Sequence, residues 1–352
     1  MTRVEPEIRG LSASDLDQAM AHLSSVSVLI VNFNTRQLVC SLLDSLKCEQ
    51  EVILEIIVVD NASTDGSVAK IRTDYPEVKL IELAENVGFG RANNLSASIA
   101  VGRRFLLLNS DTIVLPGTVR RLVEFANKYA AAGIWGGRTT FPDNRLNPTS
   151  CWRRMSLWSV FCRAIGLSSL APKWAWSNPE AYCGWERDSV RAVDIVSGCF
   201  FMIEQSLWKK LDGFDPAFFM YGEEVDLCLR ARALGANPMF TPAATIIHVE
   251  GASRTSTFGP TIQILAARIR NIQLHFLPWQ RRPGIILTQA GALFRWFALN
   301  LLGVVNVRWR NRRDDWREAM RRRDEWWNGY PNSSLIRDSG VLVCMEERPD
   351  HG

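Results

Sequence analysis

Apolar runs of strand length recur through the first 115 residues, and each stops at a polar turn before a helix-period segment begins. Residues 26–31 (VSVLIV) run into Asn32-Phe33-Asn34-Thr35, after which Leu38, Leu42, Leu43 and Leu46 fall at three- and four-residue spacing. Residues 53–59 (ILEIIVV) stop at Asp60, and the turn-rich stretch 61–67 (NASTDGS) leads into a short helix. Residues 78–83 supply a third strand. The Gly/Asn-rich stretch 86–94 then opens a helix that ends before 105–108 and Asn109-Ser110-Asp111. This order predicts an α/β fold: consecutive βαβ units on a mostly parallel, Rossmann-like sheet flanked by helices. In such sheets the turns at the carboxyl ends of the strands collect on one edge, where ligands bind. Asn32, Asn34, Asp60, Asn86, Asn93 and Asp111 are therefore expected along that edge. Any one of them could be only a turn former or helix cap. Four such turns, two of them carrying carboxylates, predict a site.

Between residues 141 and 191 the pattern dissolves into a proline-containing stretch with five tryptophans, Trp152, Trp158, Trp174, Trp176 and Trp185. Long irregular insertions are often lids or binding loops, and tryptophans suit stacking on sugar faces or apolar ligands. A satellite core under a long loop is the other reading. Order returns with 193–203 (VDIVSGCFFMI), which has Gly198 inside it, and with strand-like 245–249, which contains His248.

Composition excludes several classes. A chain of 352 residues, 47% hydrophobic and 22% charged, is neither collagen-like, nor disordered, nor a small disulfide framework. The eight cysteines are scattered without a CxxC pair, which argues for reduced thiols and against a zinc site. The N-terminal stretch is polar and mixed in charge, with no signal-type apolar core, so a cytoplasmic protein is expected. The net charge of +4 hides an asymmetry. Residues 268–323 hold thirteen arginines, no lysine and three acids, a net +10 that leaves −6 for the rest. Residues 285–305 (IILTQAGALFRWFALNLLGVV) have the length of a membrane span, but Arg295, Gln289 and Asn300 argue for an interfacial or buried helix.

Two groups of residues carry candidate chemistry. Asp111 ends the leucine strand LLLNSD with Asn109 two residues earlier on the same face, placed to hold a divalent cation at the sheet edge. His248 could add a nitrogen ligand, although a lone histidine is more often a satisfied structural residue. Mg²⁺ or Mn²⁺ held by one or two protein ligands plus diphosphate oxygens is the arrangement expected for a nucleotide substrate, and Arg254 could pair with the same phosphates. The second group lies in 218–230 (FFMYGEEVDLCLR), where Glu223, Glu224 and Asp226 open a helix behind an aromatic run. They could serve the helix dipole. Acids against aromatic walls also have raised proton affinity, which suits a general base, and Glu224 is preferred for that role. Asp226 and Arg230 have the spacing of a helical ion pair.

These blocks together resemble the family 2 glycosyltransferases with the GT-A fold. The likeness runs through VLIVNFN (28–34), VDNASTDGS (59–67), NVGFGRANN (86–94), LNSDT (108–112), SGCF (197–200) and GFD (213–215) onward to Gly235, and the wording is most similar to the rhamnosyltransferase branch. It covers roughly residues 25–255. The resemblance implies that Asp60 contacts the pyrimidine base, with the Asn32–Asn34 turn and the loop of Asn86, Gly88 and Asn93 around base and ribose. Asn109, Ser110 and Asp111 stand at the family's DxD motif, with Asp111 and His248 as metal ligands. Glu224 stands at the catalytic-base position, with Glu223 as the other candidate. Two departures are visible: the first acid of DxD is the amide Asn109, and the usual Glu-Asp pair reads Glu223-Glu224, one methylene longer. The reaction implied is inverting, metal-dependent transfer of a hexose, L-rhamnose from dTDP-rhamnose by this likeness, or another sugar from a dTDP- or UDP-donor. The acceptor hydroxyl would belong to a glycan, a lipid-linked sugar or a small molecule, in cell-surface polysaccharide or glycolipid assembly.

The alternatives are a nucleotidyltransferase and a non-catalytic nucleotide-sugar-binding subunit. A nucleotidyltransferase predicts a glycine-rich basic loop after the first strand, which VNFNTRQL is not. The expected organisation is an N-terminal extension (1–24), a catalytic domain (25–255, donor half 25–115 and acceptor half 116–255) and a basic, mostly helical C-terminal region (256–352). In that last region Val305, Trp309, Trp316, Met320 and Trp327 predict a helix with a tryptophan stripe and arginines on its other faces. Such a helix either lies on an anionic membrane, making the protein peripheral, or packs on the catalytic domain. No recognition motif accompanies the charge, so nucleic acid is not an expected partner.

Overall fold

Val26–Asn32 (β1) is buried along nearly its whole length, because a parallel strand covered on both faces has no polar side to show. Leu54–Asp60 (β2) pairs with it in parallel, and Lys79–Leu83 (β3) pairs in parallel with β2. Arg104–Asn109 (β4) flanks β1 on the other side, again in parallel. The connections run through helices Arg36–Leu46 (α1), Ser67–Asp74 (α2) and Phe89–Ile99 (α3). Register sets Asn32 opposite Asp60 and Val31 opposite Asn109, so the polar strand ends share one edge as predicted. This computed structural model describes residues 25–49, 51–249, 259–302, 310–331 and 343–344.

The second half of the sheet is mixed. Thr112–Val114 (β5), Ile134–Thr140 (β6), Phe200–Glu204 (β7) and Met239–His248 (β8) complete the order β3-β2-β1-β4-β7-β6-β8-β5, and Val343–Cys344 pairs outside β3. β7 runs antiparallel to both β4 and β6. A parallel neighbour needs a crossover back to the starting end of the sheet. The chain instead reaches β7 from the tryptophan-rich excursion, which leaves it at the far end. β8 is parallel to β6 and antiparallel to β5, with His248 opposite Thr112. That register brings His248 beside the turn after β4.

Successive strand residues alternate between two cores. Val28, Ile30 and Met202 face α1 and Thr118–Lys128 (α4), whereas Leu29, Val59 and Phe201 face α3 and the segment around Phe214 and Leu227. Within the excursion, Leu157–Ala164 (α5) begins at a capping box between Ser156 and Ser159. Its tryptophans divide between packing and exposure. Trp158, Trp174 and Trp176 are exposed, while the Trp185 ring meets Phe240 edge-on at 5.0 Å.

Beyond the sheet, Gln205–Lys210 (α6) and Glu223–Ala233 (α7) precede three C-terminal helices, Gly259–His275 (α8), Pro278–Leu302 (α9) and Arg310–Arg321 (α10). Trp316, Met320, Trp326 and Trp327 pack against Ile262, Leu265, Ala266 and Ile269 of α8. The predicted tryptophan stripe is thus turned towards the protein's own helices, while Val305 and Trp309 lie outside the described residues. The exposed apolar side belongs to α9. Trp279, Ile286, Leu293, Phe294, Phe297 and Leu301 are all exposed, and at 3.6 residues per turn they fall within an arc of about 100°. Arg295 points the other way and donates to the carbonyls of Gly291 and Arg163. No described helix is long and apolar enough to cross a membrane.

Candidate active site

Hydrogen bonds that cross from strand to strand organise the carboxyl edge. The Asn32 Nδ2 amide donates to Asp60 Oδ2 at 2.7 Å and to Ser63 Oγ at 3.1 Å, and the Ser63 N–H donates to Asp60 Oδ1 at 2.8 Å. Thr35 donates its hydroxyl to Asn32 Oδ1 at 2.6 Å, and its Oγ lies 2.8 Å from Ser110 Oγ. Asn34 accepts the Thr64 N–H at 2.8 Å, tying the first two turns together. Asp60, Asn32 and Ser110 are buried and Asn109 is half-buried, so one connected polar set spans three strand ends.

The loop after β3 is fixed from two sides. Asn61 donates to Asn86 Oδ1 at 2.9 Å, and its own Oδ1 accepts the Val87 N–H at 2.9 Å. Gly88, at φ +88°, passes so close to the Phe219 carbonyl that a Cβ would lie 2.2 Å from its oxygen. Only glycine fits there. The Phe89 N–H then donates to that same carbonyl at 2.8 Å. Asn93 faces inward, donating to the Phe89 carbonyl at 3.0 Å, with its Oδ1 buried and unbonded.

Asp111 and His248, 137 positions apart in the chain, meet with Oδ1 and Nε2 at 3.2 Å. Both are buried, and His248 Nδ1 has no hydrogen-bond partner. Burial opposes charge on the ring, but the Asp111 hydrogen bond and the neighbouring Cys199 outweigh it and raise the pKa to about 10. Two ligands at right angles around a small octahedral cation, each about 2.1 Å from it, would be about 3 Å apart, so this pair fits such an ion. Among the described residues no group of three His, Cys, Asp or Glu side chains could hold a metal. Water and diphosphate oxygens commonly complete the shell of such an ion.

Glu223 and Glu224 open α7 behind a constrained turn. Tyr221 and Gly222 both have positive φ, +67° and +84°, and a Cβ on Gly222 would fall 2.7 Å from Asn271 Nδ2 on α8. Asn271 donates to the Gly222 carbonyl at 3.1 Å, and Tyr330 donates its hydroxyl to the Met220 carbonyl at 2.8 Å. One turn further on, Asp226 is held by Arg230 at 2.7 Å and by His275 at 2.9 Å. Burial pushes its carboxyl up, but these two partners outweigh that and keep it below the ordinary aspartate value. The helical ion pair expected from spacing is therefore present, with a histidine from α8 added.

The two glutamates differ in access. Glu223 is 4% exposed, packs near Gly90, and has a buried Oε2 with no partner. Burial first, and the neighbouring Glu224 second, push its carboxyl well above the ordinary glutamate value. Glu224 is half-buried, accepts the Gly222 N–H at 3.1 Å, and has its Cβ under Gly198 at the start of β7. Burial raises its carboxyl too. The structure thus joins Asn32, Asn34, Asp60 and Ser110 in one network, Asn86 and Gly88 in a second, and Asp111 and His248 in a third. Arg254 lies outside the described residues. The site elements not singled out from sequence are Thr35, Ser63, Asn61 and the α8 supports. Asn61 and Ser63 sat beside Asp60 in a recognised block, whereas nothing local pointed to Asn271 or Tyr330.

A mixed α/β sheet with strand-end carboxylates on its binding edge and the Glu223–Glu224 pair at the start of α7 matches a nucleotide-sugar-dependent glycosyltransferase of the GT-A type. The sequence model of glycosyl transferase family 2 matches residues 27–209. The chain belongs to that family. It is 29% identical over 218 residues to the N-acetylglucosaminyl-diphospho-decaprenol L-rhamnosyltransferase of Mycobacterium tuberculosis, covering 58% of this chain and 70% of that protein. It is 23% identical over 240 residues to the low-salt glycan biosynthesis hexosyltransferase Agl10 of Haloferax volcanii, covering 66% and 70%. In fold it is similar to the mannosyltransferase PcManGT of Pyrobaculum calidifontis, solved with GDP-Man and Mn²⁺, at a TM-score of 0.50 and 17% identity over 80% of this chain and 75% of that one.

The raised Glu223 carboxyl has a consequence for stability. Its folded pKa exceeds its unfolded value, so above the ordinary glutamate range the folded state binds more protons, and stability falls as pH rises through the raised value. Glu223→Gln copies the protonated form and does not titrate. Its melting temperature relative to wild type is expected to increase as pH rises above the ordinary glutamate range. A pH-independent difference in calorimetry would refute the assignment.

Proposed function

We propose that this chain is an inverting hexosyltransferase that moves L-rhamnose from dTDP-rhamnose to a hydroxyl of a lipid-linked or glycan acceptor, in cell-surface polysaccharide or glycolipid assembly. The observation that supports the reading is the half-buried Glu224 at the start of α7, whose Cβ lies close to Gly198, next to Cys199, whose carbonyl accepts the Asn109 N–H at the end of β4 at 3.4 Å. The rhamnosyl assignment rests on the wording of the sequence blocks and on the mycobacterial relative. A catalytic unit of residues 25–255 with a supporting region of 256–352 belongs to the same reading.

In this reading Asp60 and the Asn32–Asn34 turn hold the base, and the loop of Asn86, Gly88 and Asn93 shapes the ribose pocket. Asn109 and Ser110 border the diphosphate, with Arg254 as its cationic partner. Asp111 and His248 would hold Mg²⁺ or Mn²⁺. When bound, the ion offsets charge on the departing diphosphate. The acceptor oxygen attacks the anomeric carbon, the bond from that carbon to the diphosphate oxygen breaks, and Glu224 takes the hydroxyl proton. Its raised carboxyl keeps it basic enough to do so. Glu223 is the less accessible of the pair.

A second element of the reading is placement. The apolar arc of α9, with Arg281 and Arg282 at its start, has the character of a helix that lies on an anionic membrane surface. The protein would then act as a peripheral enzyme on the cytoplasmic face.

Four outcomes are expected. Glu224→Gln lowers kcat by about 10²- to 10⁴-fold and leaves the Kd for dTDP unchanged. The acid limb of wild-type kcat/KM lies above the ordinary glutamate pKa, since the base works only when ionised. Turnover near wild type in that variant would remove Glu224 from the chemistry. Asp111→Asn and His248→Ala each abolish the strengthening of dTDP binding by Mn²⁺, read by calorimetry; an unchanged response would place the ion elsewhere. Vesicles with anionic lipid float the protein at low salt and lose it when Phe294 and Phe297 are replaced by Ser. Flotation unaffected by that double change would rule out the α9 surface.

A further inference from the structure

A cavity of about 200 Å³ lies between α5, α8, α9 and α10, and none of the carboxyl-edge residues lines it. Arg163 of α5, Arg268 of α8 and Arg295 of α9 all line it, and none of its lining residues is acidic. Arg268 forms a two-pronged pair with Glu180, NH1 to Oε2 at 2.9 Å and NH2 to Oε1 at 2.7 Å, so that carboxylate is largely committed. Arg163 reaches the same carboxylate only at 3.9 Å. Arg295 is half-buried and donates to two backbone carbonyls, with its guanidinium 5.8 Å from the Trp316 ring. Three guanidinium groups therefore line one cavity, and two of them reach its one neighbouring carboxylate, Glu180.

This charge balance is costly for a folded chain. Like charges brought together repel, and a counter-charge relieves them. Arg163 shows the effect: its side chain is about half exposed, yet the neighbouring Arg268 holds its pKa down to about 10. An anion with several oxygens would relieve it, since planar guanidinium forks match phosphate geometry. Thr261 and Thr288 add hydroxyls to the lining. The rest of the wall is apolar, with Ile264 39% exposed at the rim. A free inorganic anion would leave that apolar surface unused.

We propose that this cavity binds a phosphate or diphosphate group carried on an apolar chain. The site is distinct from the donor edge yet mechanically joined to it. Arg268 lies one helical turn before Asn271, which holds the Gly222 carbonyl beneath the glutamate pair. The proposal does not depend on the sugar-transfer reading, because its test contains no nucleotide sugar and is read on binding alone.

The test is calorimetric titration of the full chain in EDTA with farnesyl diphosphate, dihexanoyl phosphatidate, inorganic pyrophosphate and farnesol. At least one of the two phosphate-bearing chains is expected to bind ten-fold or more tighter than both pyrophosphate and farnesol. Preference between these two then tells a prenyl-linked ligand from a diacyl lipid headgroup. Arg163→Gln and Arg295→Gln are each expected to weaken that binding about ten-fold without moving the melting temperature or the Kd for dTDP. Arg268 is left intact, since it anchors Glu180. Pyrophosphate binding as tightly as both chains would overturn the proposal. So would the absence of binding by either chain, or chain binding unaffected in both stable arginine variants.

Discussion

The buried hydrogen bond from Asn32 to Asp60 is the contact on which the binding edge depends. A carboxylate taken out of water must have its oxygens met by donors, or its burial is strongly unfavourable. Here one oxygen takes the Asn32 amide and the other the Ser63 N–H. The remaining oxygen of Asn32 is claimed by Thr35, whose hydroxyl reaches Ser110. Because β1 and β2 are parallel and in register, this chain of contacts carries the position of one strand end to the next. The edge is rigid before any ligand arrives, which is what preorganised binding of a nucleotide requires.

The opposite wall is held differently. The turn before α7 has two consecutive residues with positive φ, a conformation that persists only when its surroundings over-determine it. Those surroundings are the C-terminal helices. Asn271 fastens Gly222, Tyr330 fastens Met220, and His275 fastens Asp226. The region that carries most of the positive charge is thus built into the support of the acidic pair. Part of its charge is used in the same way, since Arg268 pairs with Glu180 and Arg270 reaches Asp215 at 3.3 Å.

The donor half was legible because parallel βαβ units make local order and spatial order nearly the same thing. Each apolar run ended where its strand ends, and Asn32, Asp60 and Asp111 fell on one edge without long-range information. The meeting of Asp111 with His248 was read from the family blocks, and the antiparallel pairing of β5 with β8 supplies the geometry. The direction of β7 was not legible, since it depends on where a 50-residue excursion ends in space. The C-terminal helices left two readings open for a physical reason. A tryptophan stripe and an apolar stretch look alike whether they face lipid or a neighbouring helix. The packing of Trp316 and Trp326 against α8, with the α9 arc left outside, separates the two cases. Asn271 and Tyr330 carried no local signal, because their role lies in backbone carbonyls far away in the chain.

The account as a whole turns on whether this edge activates a sugar nucleotide. The most direct measurement incubates the purified chain with dTDP-, UDP- and GDP-sugars, Mg²⁺ or Mn²⁺ and lipid-linked acceptor, and follows release of the nucleoside diphosphate. The account predicts release of dTDP from dTDP-rhamnose that depends on both the divalent ion and the acceptor. Release of pyrophosphate from a nucleoside triphosphate, or no release from any sugar nucleotide, would contradict it.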